Sequence, residues 1–162
     1  SVKESALGLI SINVSSPSRS MVCAMDEQSP SARWTLQESL VAILFLAASA
    51  DGGLDKVEQG EILALQRRSK SFQALKPLEL TALNLSVVNR VRYGGSGLAQ
   101  ACAALSAEAR LPAFALALDL MLSDGELTDG EADFVKKLTL HLSLESDAVA
   151  KITEVMALRH RI

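Results

Sequence analysis

Asp51-Gly52-Gly53-Leu54-Asp55-Lys56-Val57-Glu58 returns in the second half of the chain as Asp124-Gly125-Glu126-Leu127-Thr128-Asp129-Gly130-Glu131. Four of the eight positions are identical (Asp, Gly, Leu and Glu), and each octet follows an apolar segment and precedes an amphipathic one. Matching context on both sides makes chance a poor explanation, so the octets read as two copies of one helix–acidic turn–helix unit. The fold class that follows is all-α, a compact bundle of about seven helices with an internal two-fold repeat.

The segments around the octets support helices. Trp34 to Ala50 is apolar on nearly every face, which predicts a helix enclosed by others. Gly52 and Gly53 stop it, and a second helix from about Lys56 to Arg68 sets Val57, Ile62, Leu63 and Leu65 on one face. Pro77 opens a third helix that runs to Tyr93. Gly94-Gly95-Ser96-Gly97 breaks it; this loop follows a helix rather than a strand and lacks the P-loop lysine, so it reads as a connector rather than a phosphate cradle. Further helices are expected over about Leu98–Leu105, Glu108–Ser123 with Pro112 tolerated early, Asp129–Leu142 and Ser146–His160. The last should turn Val149, Ile152, Val155 and Met156 inward.

Composition agrees. The 162 residues are 49% hydrophobic and only 4% aromatic, with Ala and Leu dominant, which suits packed helices and supplies a core without metal or disulfide staples. A net charge of −3 argues against life on a nucleic-acid backbone. The densest basic run, Arg67-Arg68-Ser69-Lys70, falls where a helix should end and suits the helix dipole. Cys23 and Cys102 lack the paired spacing of zinc or dithiol chemistry, and a reduced, cytoplasmic setting is favoured. The longest apolar run, Leu40–Ala50, is about half of what a membrane-spanning helix needs, so no direct membrane insertion is expected.

Residues 1 to 32 are serine-rich, carry Pro17 and Pro30, and show no sustained period, which predicts a flexible or loosely attached arm before a helical domain over 33–162. Met21 and Met25 leave the start of translation open. A secretory signal is disfavoured because Asn13, several serines and Pro17 interrupt the apolar run near the N-terminus.

The octets have three chemical readings. An EF-hand fits only from its fifth position onward, because Ala47 and Ser49, or Leu120 and Leu122, stand where early ligands belong. Helix corners fit better: Gly52 and Gly125 adopt a left-handed conformation, Leu54 and Leu127 plug the corner, and Asp55 with Glu58 and Thr128 with Glu131 form capping boxes. Corners leave Asp51 and Asp124 unexplained, since a carboxylate at a helix C-terminus opposes the macrodipole by about 0.3–1 kcal/mol. Either an Asx-type turn offsets that cost or a bound cation does, and the two stand level. Each copy alone offers few oxygens for Ca²⁺ or Mg²⁺, so the two corners would hold a partly hydrated ion each or approach and pool their carboxylates. Asp119, in the middle of an apolar helix, is either a shared ligand or paired with a cation such as Arg110 or Lys137.

At these residues the chain resembles the tellurite-resistance TerB-like family. The resemblance rests on Ala48-Ser49-Ala50-Asp51-Gly52 with Glu58, then on Leu122 through Glu131, and continues through His141-Leu142-Ser143-Leu144 over about residues 36–158. Met121 and Leu122 replace the small residues usual before the second Asp. The resemblance implies a compact all-α fold, a cytoplasmic home, a divalent-metal site in acidic residues, and association with tellurite or chemical-stress resistance. It puts Asp51, Glu58, Asp124 and Glu131 first as metal ligands, with Asp55, Asp119, Glu126 and Asp129 behind them.

His141 and His160 stand in no nucleophile–base spacing and read as surface or boundary residues. The expectation is therefore a non-enzymatic, divalent-metal-binding helical module, with Ca or Mg favoured, acting through partner proteins of a stress-resistance complex. Self-association is left open. The alternative is a helical interaction scaffold whose acidic turns only cap helices and bind no metal. A metal-dependent hydrolase ranks third, since no substrate-polarising group accompanies the carboxylates.

Overall fold

The computed structural model describes residues 33–94 and 97–161. The arm expected over residues 1–32 lies outside the described residues, as does Cys23. Among the described residues there are seven α-helices, two short 3₁₀ turns and no strand. The helices are α1 (Leu36–Ala48), α2 (Lys56–Arg68), α3 (Pro77–Tyr93), α4 (Gly97–Ala103), α5 (Ala107–Met121), α6 (Asp129–His141) and α7 (Ser146–Arg159). The 3₁₀ turns are Lys70–Phe72 and Leu122–Asp124. No helix among them is long and apolar enough to cross a membrane.

The helix at Leu36 starts on a capping box. The Thr35 side chain accepts from the Glu38 amide at 3.1 Å, and the Glu38 carboxylate accepts from the Thr35 amide at 2.7 Å. Beyond the cap, Leu40 through Leu44 are all buried, and α1 packs on α3, α4 and α5 at once. It is the central helix that its all-round apolarity predicts. Helix α5 mirrors it: Ala113, Phe114, Ala117 and Leu118 are fully enclosed, and Pro112 remains inside the helix with its ring exposed. Each fully buried Leu, Ile or Phe contributes about 1.5–3 kcal/mol relative to exposure, so the side chains shared between α1 and α5 form a large part of the core.

The outer helices dock on this pair through fewer residues. Helix α7 has no fully buried residue and lies on α5. Val149, Ile152 and Met156 do pack on the core, but Val155 is 62% exposed, because the inward stripe is too narrow to include it. Val57 is likewise exposed at the first turn of α2, ahead of the point where that helix meets its neighbours. The expected fourth and fifth helices end earlier than the apolar pattern suggests, at Ala103 and Met121, where the backbone tightens into turns. Helix α6 stops at Ser143, whose φ of 52° lets the Leu144 amide reach back to the Thr139 carbonyl at 3.2 Å.

Trp34 ties the start of the fold to its middle. Its ring is buried, its indole N–H donates to Gln100 Oε1 at 3.3 Å, and the Arg90 guanidinium lies 4.0 Å from the ring centre. The same Arg90 stands 3.8 Å from Glu38, so α1, α3 and α4 meet around one side chain.

Candidate functional site

Both octets form helix corners. Gly52 (φ 118°) and Gly125 (φ 97°) turn the chain through backbone space closed to most side chains, and Leu54 and Leu127 sit half-buried against the core. In the first corner Asp55 Oδ1 accepts from the Val57 and Glu58 amides at 2.7 and 2.9 Å, while Glu58 Oε2 accepts from the Asp55 amide at 2.7 Å. In the second, Thr128 Oγ1 accepts from the Glu131 amide at 3.3 Å and Glu131 Oε2 accepts from the Thr128 amide at 2.9 Å. Asp55, Glu58, Thr128 and Glu131 are therefore engaged by the backbone, each box being worth about 1 kcal/mol.

Asp51, the carboxylate that corner geometry leaves unexplained, bonds across to the other unit. The Thr128 hydroxyl donates to Asp51 Oδ1. A hydroxyl has one proton, so Thr128 passes a chain from the Glu131 amide through its oxygen to Asp51, while Glu131 Oε2 lies 3.2 Å from the same oxygen. Asp51 lies in the turn just past the C-terminus of α1, where the dipole opposes it, yet it also faces the N-terminus of α6, where the dipole favours it.

Gly130 makes this approach possible. A Cβ there would stand 2.7 Å from the Ala50 carbonyl oxygen and 2.9 Å from Asp51 Oδ1, inside any normal contact. A second tie joins the halves: the Ser123 hydroxyl donates to Glu61 Oε2 on α2 at 3.0 Å. The corners thus approach one another.

The remaining candidates lie differently. Asp124, Glu126 and Asp129 are exposed. Asp119, with its side chain only 11% exposed, is paired, but with neither Arg110 nor Lys137: its Oδ1 lies 2.9 Å from His160 Nε2 and 3.2 Å from an Arg159 guanidinium nitrogen. His160, read from sequence as a surface or boundary residue, is thus a partner of Asp119. Residues from the end of α7 reach α5 only because α7 folds back on it, a long-range relation that spacing along the chain does not express. Among the described residues no group of three or more His, Cys, Asp or Glu side chains is arranged to hold a metal ion. Asp51, Glu131 and the Thr128 hydroxyl offer three oxygen-bearing groups at one point, which would serve a partly hydrated Ca²⁺ or Mg²⁺ with water completing the shell.

Comparison with protein-family models, with curated proteins and with solved structures gives no match.

A second feature was not visible in the sequence. Helices α2 and α3 lie on α1 and touch each other little, the direct bridge being a reciprocal amide pair in which Gln66 and Asn84 exchange bonds of 2.8 and 3.0 Å. Between them opens a cleft of about 300 Å³. Its floor is Val41, Phe45 and Ile62, and its walls include Leu63, Leu85 and Val88. Leu85 is 59% exposed although it sits on an apolar wall. The periodicity of α3 shows that Leu85 is apolar and helical; that its neighbouring helix stands off is a matter of packing.

Cys102 is buried on α4, and desolvation pushes its thiol up to about 11, against the nearby Arg110, which pulls it down. A thiol held protonated in this way packs as a small apolar group.

Proposed function

We propose that the chain is a helical protein-interaction module that receives a partner helix in the cleft between α2 and α3, with its acidic corners serving to cap and join helices. The observation that carries this reading is the cleft itself: an open apolar trough with a large exposed leucine on its wall and two polar amides fixing its width. Helix-in-groove recognition needs such a surface, and its affinity comes from apolar anchors at i, i+3, i+4 and i+7 on the guest. The two corners share a positive-φ glycine and a capping box, which supports reading them as copies of one ancestral unit. The TerB-like resemblance supplies the setting, a cytoplasmic stress-resistance system in which such a module works through other proteins.

A synthetic peptide of about 14 residues with leucines at that spacing and glutamine elsewhere tests the reading by NMR titration of the labelled chain. The expected result is shifts centred on α2 and α3, lost in Leu85→Asp and kept in Leu140→Asp, since Leu140 is exposed too but lies on α6 away from the cleft. Shifts elsewhere, or none, refute it.

A second reading is favoured by the meeting of Asp51 and Glu131 around Thr128: a divalent cation bound at the junction of the corners. An ion present at 100-fold its Kd raises stability by about 2.7 kcal/mol. A thermal shift with Ca²⁺ or Mg²⁺ that disappears in Asp51→Asn supports this reading. A shift that survives both Asp51→Asn and Asp124→Asn refutes the ligand assignment, and no shift leaves the corners purely structural.

A further inference from the structure

The cleft carries a statement about the charge of its guest, resting on the reading of it as a helix-docking site. Its main depression is lined by Arg92 at the end of α3, and an adjoining depression of about 280 Å³, which shares Leu63 and Thr81, is lined by Arg67 at the end of α2. Arg67, at the end of α2, shares its depression with Pro77 and Leu80 at the start of α3, while Arg92, at the end of α3, lines the other with Leu54 and Gln59 around the start of α2, so the two arginines mark opposite ends of the trough. No Asp or Glu lines either depression. That is unexpected in a chain whose net charge is −3.

Helix-dipole preference explains why cations stand at the C-termini of α2 and α3. It does not explain why both face one apolar trough. Arg67 and Arg92 have no ion-pair partner among the described residues; Arg92 lies 5.9 Å from the centre of the Phe45 ring on the cleft floor, and Arg67 is exposed. Along α3 the lining runs from Pro77 to Arg92, which at 1.5 Å per residue is about 22 Å, the length of a four-turn guest helix.

The geometry points to an acidic amphipathic helix of a partner protein as the guest: a leucine-type stripe of three to four turns laid on Val41, Phe45, Leu63 and Leu85, flanked at both ends by carboxylates that meet Arg67 and Arg92. Complementary end charges fix the register of the guest and reject basic helices.

Two peptides with the same leucine stripe, one flanked by glutamates and one by lysines, test this against the full chain by fluorescence anisotropy at two salt concentrations. The glutamate peptide should bind at least tenfold more tightly, with the margin shrinking at high salt. The double variant Arg67→Glu/Arg92→Glu should reverse the preference, and Thr81→Trp, which fills the trough from its exposed rim, should abolish binding of both. Circular dichroism of each variant confirms that the helices persist. Equal affinity of the two peptides for the unmodified chain overturns the charge assignment while leaving the docking cleft standing. Binding of neither overturns both. Binding that tracks dimerisation of the chain, or anionic vesicles that outcompete the glutamate peptide, also overturns the inference, by assigning the trough to a second copy or to a lipid surface.

Discussion

Gly130→Ala and Gly60→Ala are the same substitution in two helices, one half-buried against the first corner and one exposed, and the structure assigns them opposite signs. Gly60 lies inside α2 with open space where a Cβ would go. Alanine there gains helix propensity and restricts the unfolded chain, which stabilises by about 1 kcal/mol. At Gly130 the new methyl would meet the Ala50 carbonyl oxygen at 2.7 Å. That oxygen belongs to backbone held by the first corner, so it cannot swing aside as a long side chain would. Relief requires the start of α6 to withdraw by several tenths of an ångström, loosening the Thr128 bond to Asp51.

Overpacking of this kind costs about 1–3 kcal/mol, and because the second residue of a helix gains little from propensity, the net effect is a loss of about 1–2 kcal/mol. For a domain of this size the two variants should melt roughly 4 °C above and 4–8 °C below the parent. Urea unfolding followed by Trp34 fluorescence measures both, Trp34 being the one tryptophan of the chain and buried in its core. If Gly130→Ala is as stable as the parent or more so, the two corners do not meet as described and the account of Asp51 fails with it.

The other expectations concern single links. A double-mutant cycle over Asp51→Asn and Thr128→Val should give a coupling of about 0.5–1 kcal/mol, measured by denaturant unfolding; additive losses would mean that the bond contributes nothing. Asp119→Asn should weaken the hold of Arg159 and His160 and speed hydrogen exchange in α7, while amides of α1 keep their protection. In a Cys23→Ser background, Cys102 should resist thiol reagents until the protein unfolds, because burial holds it protonated. Its folded value of about 11 lies above the reference of 9.0, so its contribution is fully present below pH 9 and is lost progressively as pH rises from 9 toward 11. Unfolding free energies across that range should fall more steeply in the Cys23→Ser chain than in Cys23→Ser/Cys102→Ala.

Legibility in the sequence tracked the range of the interaction. The bounds of α2 and α3 follow from signals within a few residues: Asp55 and Glu58 for one start, Pro77 for the other, the basic run at Arg67-Arg68 for the first stop and Gly94 for the second. The conformations of Gly52 and Gly125 and both capping boxes were readable for the same reason. That Asp119 needs a partner was readable from burial cost, but which partner was not, since Arg159 and His160 reach it through the fold rather than along the chain. Asp51 was singled out correctly as anomalous, while its partner Thr128 was assigned only a local capping role. The cleft was invisible because it depends on α2 and α3 standing apart, a distance set by side chains of α1 beneath them.

The bond between Thr128 and Asp51 also has a place in time. The capping boxes on either side of it join residues three apart and can form as soon as their helices nucleate. Asp51 and Thr128 are separated by 77 positions, with α2 to α5 between them, so their meeting closes a long loop at the cost of its entropy. A contact that closes so long a loop is expected on the native side of the transition state: weakening it with Asp51→Asn should leave the refolding rate almost unchanged and show up as faster unfolding in stopped-flow kinetics. The junction of the two corners is in that sense a latch, setting how long the folded chain lasts rather than how quickly it arrives.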